Sequence, residues 1–349
     1  MYNITNMSTP NTSDRLQTYY DFDSQVLENI SRSAYDQNQL SFRELATKYG
    51  IADGPSVVTG PLGAHPLEIL EFVPAMEYDS NYSRIYHTGI GNSVGGPLRM
   101  HGLRLFGADP TQRLIMIGNP SSLGHAPGKI SFRQSGAIMR TKSLAPAVSG
   151  LHEYLSLRGI KFAAHIGYSY GADKALTASA TAFHYGQTVD KLVAVEPVTI
   201  APQNLPSLLK KFIATRHQQR RYVEQSDSKP YDELWHDDSL FKFAAYSAGL
   251  LRLSNIAVAQ VLTRGGYSTR LKQILDANSD LQAVTAWGTK SELISDSLAY
   301  VTLSRLAKHN DNSGRVRSSF MRLKGMHHAG ADDIDLHAAI FLEALSRNC

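Results

Sequence analysis

Apolar residues fall along this chain in short blocks separated by turn-forming residues. Ile69-Leu70-Glu71-Phe72-Val73, Leu103-Arg104-Leu105-Phe106, Leu114-Ile115-Met116-Ile117, Phe162-Ala163-Ala164-His165-Ile166 and Leu192-Val193-Ala194-Val195 each read as strands. So do residues 281–287 and 315–323. A run such as 114–117 has no polar alternation, which suits a strand buried on both faces. Helical spacing lies between these runs. Residues 137–155 form one such stretch, with Ser135 as its cap, a break at Pro146 and an end at Gly159. Others cover 293–308 and 335–345. Strands alternating with helices predict a mostly parallel sheet with helices on both faces. The rhythm stops over 201–279, where 208–223, 240–251 and 256–262 are helical patterns and no strand is predicted. Residues 1–18 are rich in Asn, Ser and Thr, which predicts disorder. Helical patterns come next at 23–33 and 41–51, the second opened by a Ser41/Glu44 capping box and stopped at Gly50. The chain thus divides into a disordered and helical extension (1–60), an α/β core (61–200 and 280–349) and a helical insertion (201–279).

Composition removes several classes of function. With 349 residues, 42% hydrophobic and 19% charged, the chain is an ordinary globular one. Thirty-five Lys and Arg stand against 31 Asp and Glu, and a net charge of +4 does not argue for nucleic acid. Residues 41–51 resemble the first helix and turn of a helix-turn-helix. Gly54-Pro55 and Gly60-Pro61 interrupt the stretch where a recognition helix would lie, so DNA contact is not expected. The single cysteine, Cys349, allows no disulfide within the chain and no cysteine nucleophile inside the fold. The first residues lack the basic and apolar regions of a signal peptide, and no run of about 18 apolar residues predicts a membrane span. A cytoplasmic location is the expectation. The glycosylation patterns at Asn3 and Asn81 then carry no meaning.

The chemistry concentrates at Gly167-Tyr168-Ser169-Tyr170-Gly171. An apolar strand precedes it and an alanine-rich helix start comes after it. A serine hydroxyl is a weak nucleophile unless it is held exposed beside a base. A sharp strand-to-helix turn holds it so, and glycines two places before and after remove side chains that would collide. In this context the sequence resembles the α/β-hydrolase family from about Ile69 onward. The resemblance implies an α/β-hydrolase fold with 201–279 as a helical cap. It also implies a serine hydrolase acting on a carboxylic ester, or a related acyl bond, through an acyl-enzyme.

The family orders its catalytic groups as serine, then Asp or Glu, then His, each on a loop after a strand. The loop after 315–323 carries His327 and His328. Neighbouring side chains on an extended segment point opposite ways, so one of the two faces Ser169. The family's habit of a glycine shortly before the base favours His327, with His328 the alternative. For the acid, the loop after 281–287 has Ser291 where the family usually has Asp, then Glu292. Glu292 is the expected acid; Glu196, at the end of the preceding strand, and Asp296 are alternatives. The oxyanion donors implied are the N–H groups of Tyr170 and of Asn119, in the loop after 114–117.

Other groupings weigh less. His327, His328, Asp332, Asp333, Asp335 and His337 lack convincing zinc spacing, and Asp before a helix serves as a cap; no metal and no cofactor are expected. Lys210, Lys211, Arg216, Arg220 and Arg221 lie on one helical pattern and read as a solvated face, or as an attractant for an anionic substrate. The expected partner is a small acyl substrate. An acyltransferase, or a non-catalytic relative retaining the scaffold, are the alternatives.

Overall fold

A computed structural model describes residues 19–23, 56–58, 67–74, 77–89, 98–118, 132–225, 253–313, 317–328 and 334–346. Its strands are β1 (Tyr19–Asp23), β2 (Ser56–Val58), β3 (Leu67–Phe72), β4 (Tyr82–His87), β5 (Leu114–Ile117), β6 (Phe162–Tyr168), β7 (Thr188–Val195), β8 (Gln282–Gly288) and β9 (Ser318–Lys324). Its helices are α1 (Leu98–Ala108), α2 (Phe132–Thr141), α3 (Ala145–Leu157), α4 (Tyr170–Thr181), α5 (Leu205–Gln225), α6 (Leu253–Leu262), α7 (Tyr267–Ala277), α8 (Asp296–Ser313) and α9 (Ile334–Ser346).

The strands form one sheet in the order β1-β9-β8-β7-β6-β4-β5-β3-β2. From β1 to β5 every pair is parallel, and β3 and β2 close the far edge with antiparallel pairing. Side chains alternate between two apolar layers. Ile166, Tyr168, Val193, Val195, Val284 and Ala286 face one way, into a cluster with α1 and α9. Leu192, Ala194, Ala283 and Trp287 face the other way, into a cluster with α4 and α7. This two-sided burial is why the central runs carry apolar residues at both parities.

Several features depart from the sequence expectation, among them strand β2, which lies in the expected helical extension and pairs with β3. Residues 103–106, expected as strand, are the last turns of α1. Residues 101–106 are all buried, and a short apolar run with both parities buried has the same pattern in either conformation. Gly102 lets this helix sit close to the sheet, since a Cβ there would come within 2.8 Å of the Phe72 ring. Strand β4 is not expected from sequence, because Ser83, Arg84 and His87 interrupt its apolar pattern, yet all three are buried. The terminal nitrogens of Arg84 are met there by the carbonyls of Asp109 (2.6 Å) and Gln112 (3.1 Å) and by the Asp109 carboxylate (3.2 Å). Strand β1, ahead of the expected core, covers the open edge of β9 from Tyr19↔Phe320 to Asp23↔Lys324. Ser135 lies within α2 rather than capping it, since the helix begins at Phe132.

The break expected at Pro146 is present: α2 ends at Thr141, and α3 starts at Ala145 with the proline in its first turn. Between β7 and β8 the described residues form helices and no strand. The helical patterns at 41–51 and 240–251 lie outside the described residues, as does 23–33 apart from Asp23. Among the described residues no helix is long and apolar enough to cross a membrane.

Candidate active site

Strand β6 ends at Tyr168 and α4 begins at Tyr170, so Ser169 alone makes the turn. It takes φ 56° and ψ −127°. Positive φ is costly for a residue with a Cβ, and it persists only where the surroundings enforce it. Here the Ser169 N–H donates to the Val195 carbonyl (2.8 Å), and the Ala172 N–H donates back to the Ser169 carbonyl (2.9 Å). The two glycines are required by contact. A Cβ on Gly167 would lie 2.3 Å from the Gly171 carbonyl oxygen, and one on Gly171 would lie 1.9 Å from the His87 carbonyl oxygen. Gly171→Ala therefore drives a carbon into backbone that cannot swing away. We expect it to cost about 3 kcal/mol or more of stability, seen as a lowered urea midpoint or loss of folded protein; an unchanged midpoint would show that the turn relaxes.

The exposure expected of Ser169 at the tip of the turn is not found: the residue is 4% exposed, enclosed by the strand ends and loop that meet there, and its Oγ lies 3.0 Å from Nε2 of His328. The Nδ1 of the same ring lies 2.8 Å from Oε2 of Glu196. A carboxylate beside Nδ1 accepts a hydrogen bond from the ring N–H, which keeps the proton on Nδ1 and leaves the Nε2 lone pair for the serine hydroxyl. Glu196 comes directly after β7 and, like Ser169, has positive φ (55°). Its carboxylate is fully buried, and buried charge is tolerable only with donors around it. The Gly288 N–H donates to Oε1 (2.5 Å), and the Ser291 hydroxyl donates to Oε2 (2.5 Å).

His328 is fixed from both sides of its own backbone. Its N–H donates to Glu292 Oε2 (3.1 Å), and its carbonyl accepts the Tyr168 hydroxyl. The Tyr168 ring stacks on the imidazole at 5.0 Å between centres.

Ser169 thus meets the alternative histidine, which in turn meets the alternative carboxylate. His327 and Glu292, the pair favoured from sequence, meet each other instead: His327 Nδ1 lies 2.7 Å from Glu292 Oε1. Adjacent side chains do point apart, but it is His328 that turns inward, with its side chain 3% exposed against 30% for His327. Nothing in the spacing of Gly325 from the two histidines reveals this. The choice rests on Tyr168 and Glu292, which grip the backbone of His328 from elements remote in sequence. Asp296 is committed elsewhere. It accepts from Arg322 Nε (2.9 Å) and from Trp287 Nε1 (2.8 Å), and the arginine contact pulls its carboxyl below the usual range.

Of the expected oxyanion donors, Tyr170 opens α4, so its N–H has no acceptor within the helix. Asn119 lies outside the described residues. The strand beside β6 on this side is β4, not β5, and the backbone at the end of β4, His87 and Thr88, lies against the elbow. A Cβ on Gly171 would meet the Thr88 carbonyl (2.7 Å) as well as that of His87. Sequence reasoning misses this neighbour because it misses β4.

The remaining groupings do other work. Among the described residues no set of three or more His, Cys, Asp or Glu could hold a metal. His337 packs among rings, against His101 (4.4 Å), Phe341 (4.6 Å) and the edge of Tyr168 (5.9 Å); Asp332 and Asp333 lie outside the described residues. Of the basic cluster, Lys211 turns inward, donating to Gln203 Oε1 and to the Leu293 carbonyl, both at 3.1 Å. The side chains of Arg216, Arg220 and Arg221 lie outside the described residues.

No protein-family model matches the chain, and no curated protein matches its sequence. Solved structures do match. Carboxylesterase CesB (YbfK) from Bacillus subtilis is 13% identical, with 93% of this chain and 100% of that one covered and a TM-score of 0.53. E-2-(acetamidomethylene)succinate hydrolase is 17% identical, with 84% and 99% covered and a TM-score of 0.50. At such identity the likeness is one of fold. With its mostly parallel sheet, its helices on both faces and the turn that ends β6 at Ser169, the chain has the α/β-hydrolase fold.

Proposed function

We propose that this chain is a serine hydrolase that cleaves a carboxylic ester, or a related acyl bond, through an acyl-enzyme. One observation carries the reading: the unbroken hydrogen-bonded series from Ser169 Oγ through His328 to Glu196, at 3.0 and 2.8 Å. These distances fall in the range expected of a nucleophile, its base and the group that orients the base.

In this reading Ser169 Oγ attacks the substrate carbonyl carbon while its proton passes to His328 Nε2. Glu196 holds the Nδ1 proton and stabilises the imidazolium that forms. The oxyanion is met by the Tyr170 N–H and a second backbone donor. Asn119 is the donor expected from sequence; the strand order favours instead a donor just after β4. Collapse of the tetrahedral species breaks the ester bond, and the alcohol leaves with the proton from His328. Water then gives a proton to the same nitrogen as it attacks the acyl-enzyme; when the second tetrahedral species collapses, His328 returns that proton to Ser169 Oγ and the acid is released. A helical cap drawn from 201–279 would shape the acyl pocket. Its later part also serves the core, since the Tyr267 hydroxyl of α7 bonds Thr285 Oγ1 of β8 at 2.8 Å.

A non-catalytic scaffold is the weaker reading, because burying Glu196 and straining two backbone positions costs free energy that binding alone does not require. Hydrolysis of p-nitrophenyl esters of rising chain length tests the proposal. We expect turnover by the native chain and a loss of about 10⁴-fold or more in kcat for Ser169→Ala. Turnover that survives this substitution would contradict the reading, as would no turnover by the native chain.

A further inference from the structure

We infer that Glu292 is a positioning residue for the reaction: its single carboxylate holds both consecutive histidines and so sets the imidazole of His328 against Ser169 without touching either reacting group. This rests on reading Ser169 as the nucleophile.

Glu292 Oε2 accepts the backbone N–H of His328 (3.1 Å), and Oε1 lies 2.7 Å from His327 Nδ1. His328 stands beyond the end of β9, with Gly325, Met326 and His327 between them. No strand ladder therefore fixes it; the Tyr168 hydroxyl, from the end of β6, holds only its carbonyl. The loop after β8 holds the rest of the segment. The Thr289 N–H donates to the Leu323 carbonyl (3.0 Å), and the Lys290 N–H donates to the Met326 carbonyl (3.0 Å). The Gly325 N–H donates back to Thr289 Oγ1 (3.0 Å). Gly288 permits this approach, since a Cβ there would lie 2.2 Å from the Met326 carbonyl oxygen.

The same loop also holds the acid. The Gly288 N–H and the Ser291 hydroxyl donate to Glu196, and Glu292 is the next residue. Five consecutive residues, 288–292, therefore aim both Glu196 and His328. Glu292 supplies the last link, on the base. A reacting group displaced by about 1 Å can lose about 100-fold in rate, so a contact that fixes the His328 backbone bears on kcat though it is one residue removed from the chemistry. Orientation rather than charge is the operative property. Two acceptor atoms must reach two N–H groups at once.

Two conservative variants separate these properties. Glu292→Gln keeps the reach and loses the charge; its amide oxygen accepts the His328 N–H, and its NH₂ donates to the other tautomer of His327. Glu292→Asp keeps the charge and loses one methylene of reach. The substrate is p-nitrophenyl acetate, and Ser169 labelling by a fluorophosphonate is measured alongside. We expect Glu292→Asp to lower kcat by roughly 10–100-fold with KM within about threefold, and to slow labelling in proportion. Glu292→Gln should stay within about fivefold of the native kcat. Amide hydrogen exchange at His328 should be faster in the Asp variant and near native in the Gln variant. The inference is overturned if Asp is tolerated and Gln is not, which would mark a charge effect. It is overturned equally if both variants keep native kcat, or if KM alone moves. A native chain that neither turns over ester nor takes label removes the hydrolase reading itself, and this role with it.

Discussion

Replacing His328 by alanine should lower kcat by about 10⁴-fold or more, while replacing His327 should leave it within about tenfold. The two residues are neighbours with identical side chains, so the contrast isolates position from chemistry. His328 Nε2 lies 3.0 Å from Ser169 Oγ, and its Nδ1 is held by Glu196. His327 is far more exposed and spends its Nδ1 on Glu292. Without His328 the hydroxyl loses the base bonded to it, and attack at neutral pH must proceed without proton transfer to an imidazole. Without His327, Glu292 still accepts the His328 N–H and the base stays in place. Steady-state kinetics on one ester suffices. Loss of activity in the His327 variant with retention in the His328 variant would reverse the assignment.

The second large effect concerns stability. Lys174→Met should stabilise the fold by about 1–4 kcal/mol near pH 7, with the gain fading as pH rises. Lys174 lies in the first turns of α4 with 1% of its surface exposed. Among the described residues its Nζ has no hydrogen-bond partner. The Tyr170 ring, 5.2 Å away, offers weak cation–π compensation. Burial pulls the lysine down from 10.5 to about 7. The folded chain then binds fewer protons than the unfolded chain between those values. The penalty is full below about pH 7 and disappears as pH approaches 10.5. Methionine fills a similar volume with no charge to desolvate. Urea unfolding of both chains near pH 7 and near pH 10 measures the effect. Destabilisation by Lys174→Met, or a gain that does not shrink with pH, would mean that the amine is held by an interaction stronger than its burial.

The parts of this molecule that are legible in the sequence are those fixed by local constraint. Gly167-x-Ser169-x-Gly171 can be read because two backbones pass at a distance that admits no Cβ, and that requirement is written in the residues themselves. Runs such as 114–117 and 192–195 can be read because burial on both faces leaves no room for polar side chains. The illegible parts depend on partners far away in the chain. Strand β4 is hidden by Arg84, whose charge is answered by Asp109 and Gln112 across a turn. Strand β1 is defined by β9, at the opposite end of the chain. The inward histidine is chosen by Tyr168 and Glu292, and the acid by the positive φ of Glu196 and the donors at Gly288 and Ser291. Spacing from a glycine carries none of that information.

The central claim is that Ser169 is a nucleophile made reactive by His328. Treatment with a fluorophosphonate, and then intact-mass and peptide analysis, tests it most directly. The account predicts one adduct per chain, on Ser169, formed at comparable rates in the native chain and in His327→Ala and suppressed in His328→Ala. An adduct on another residue, or folded native chain that takes up no label, would contradict it.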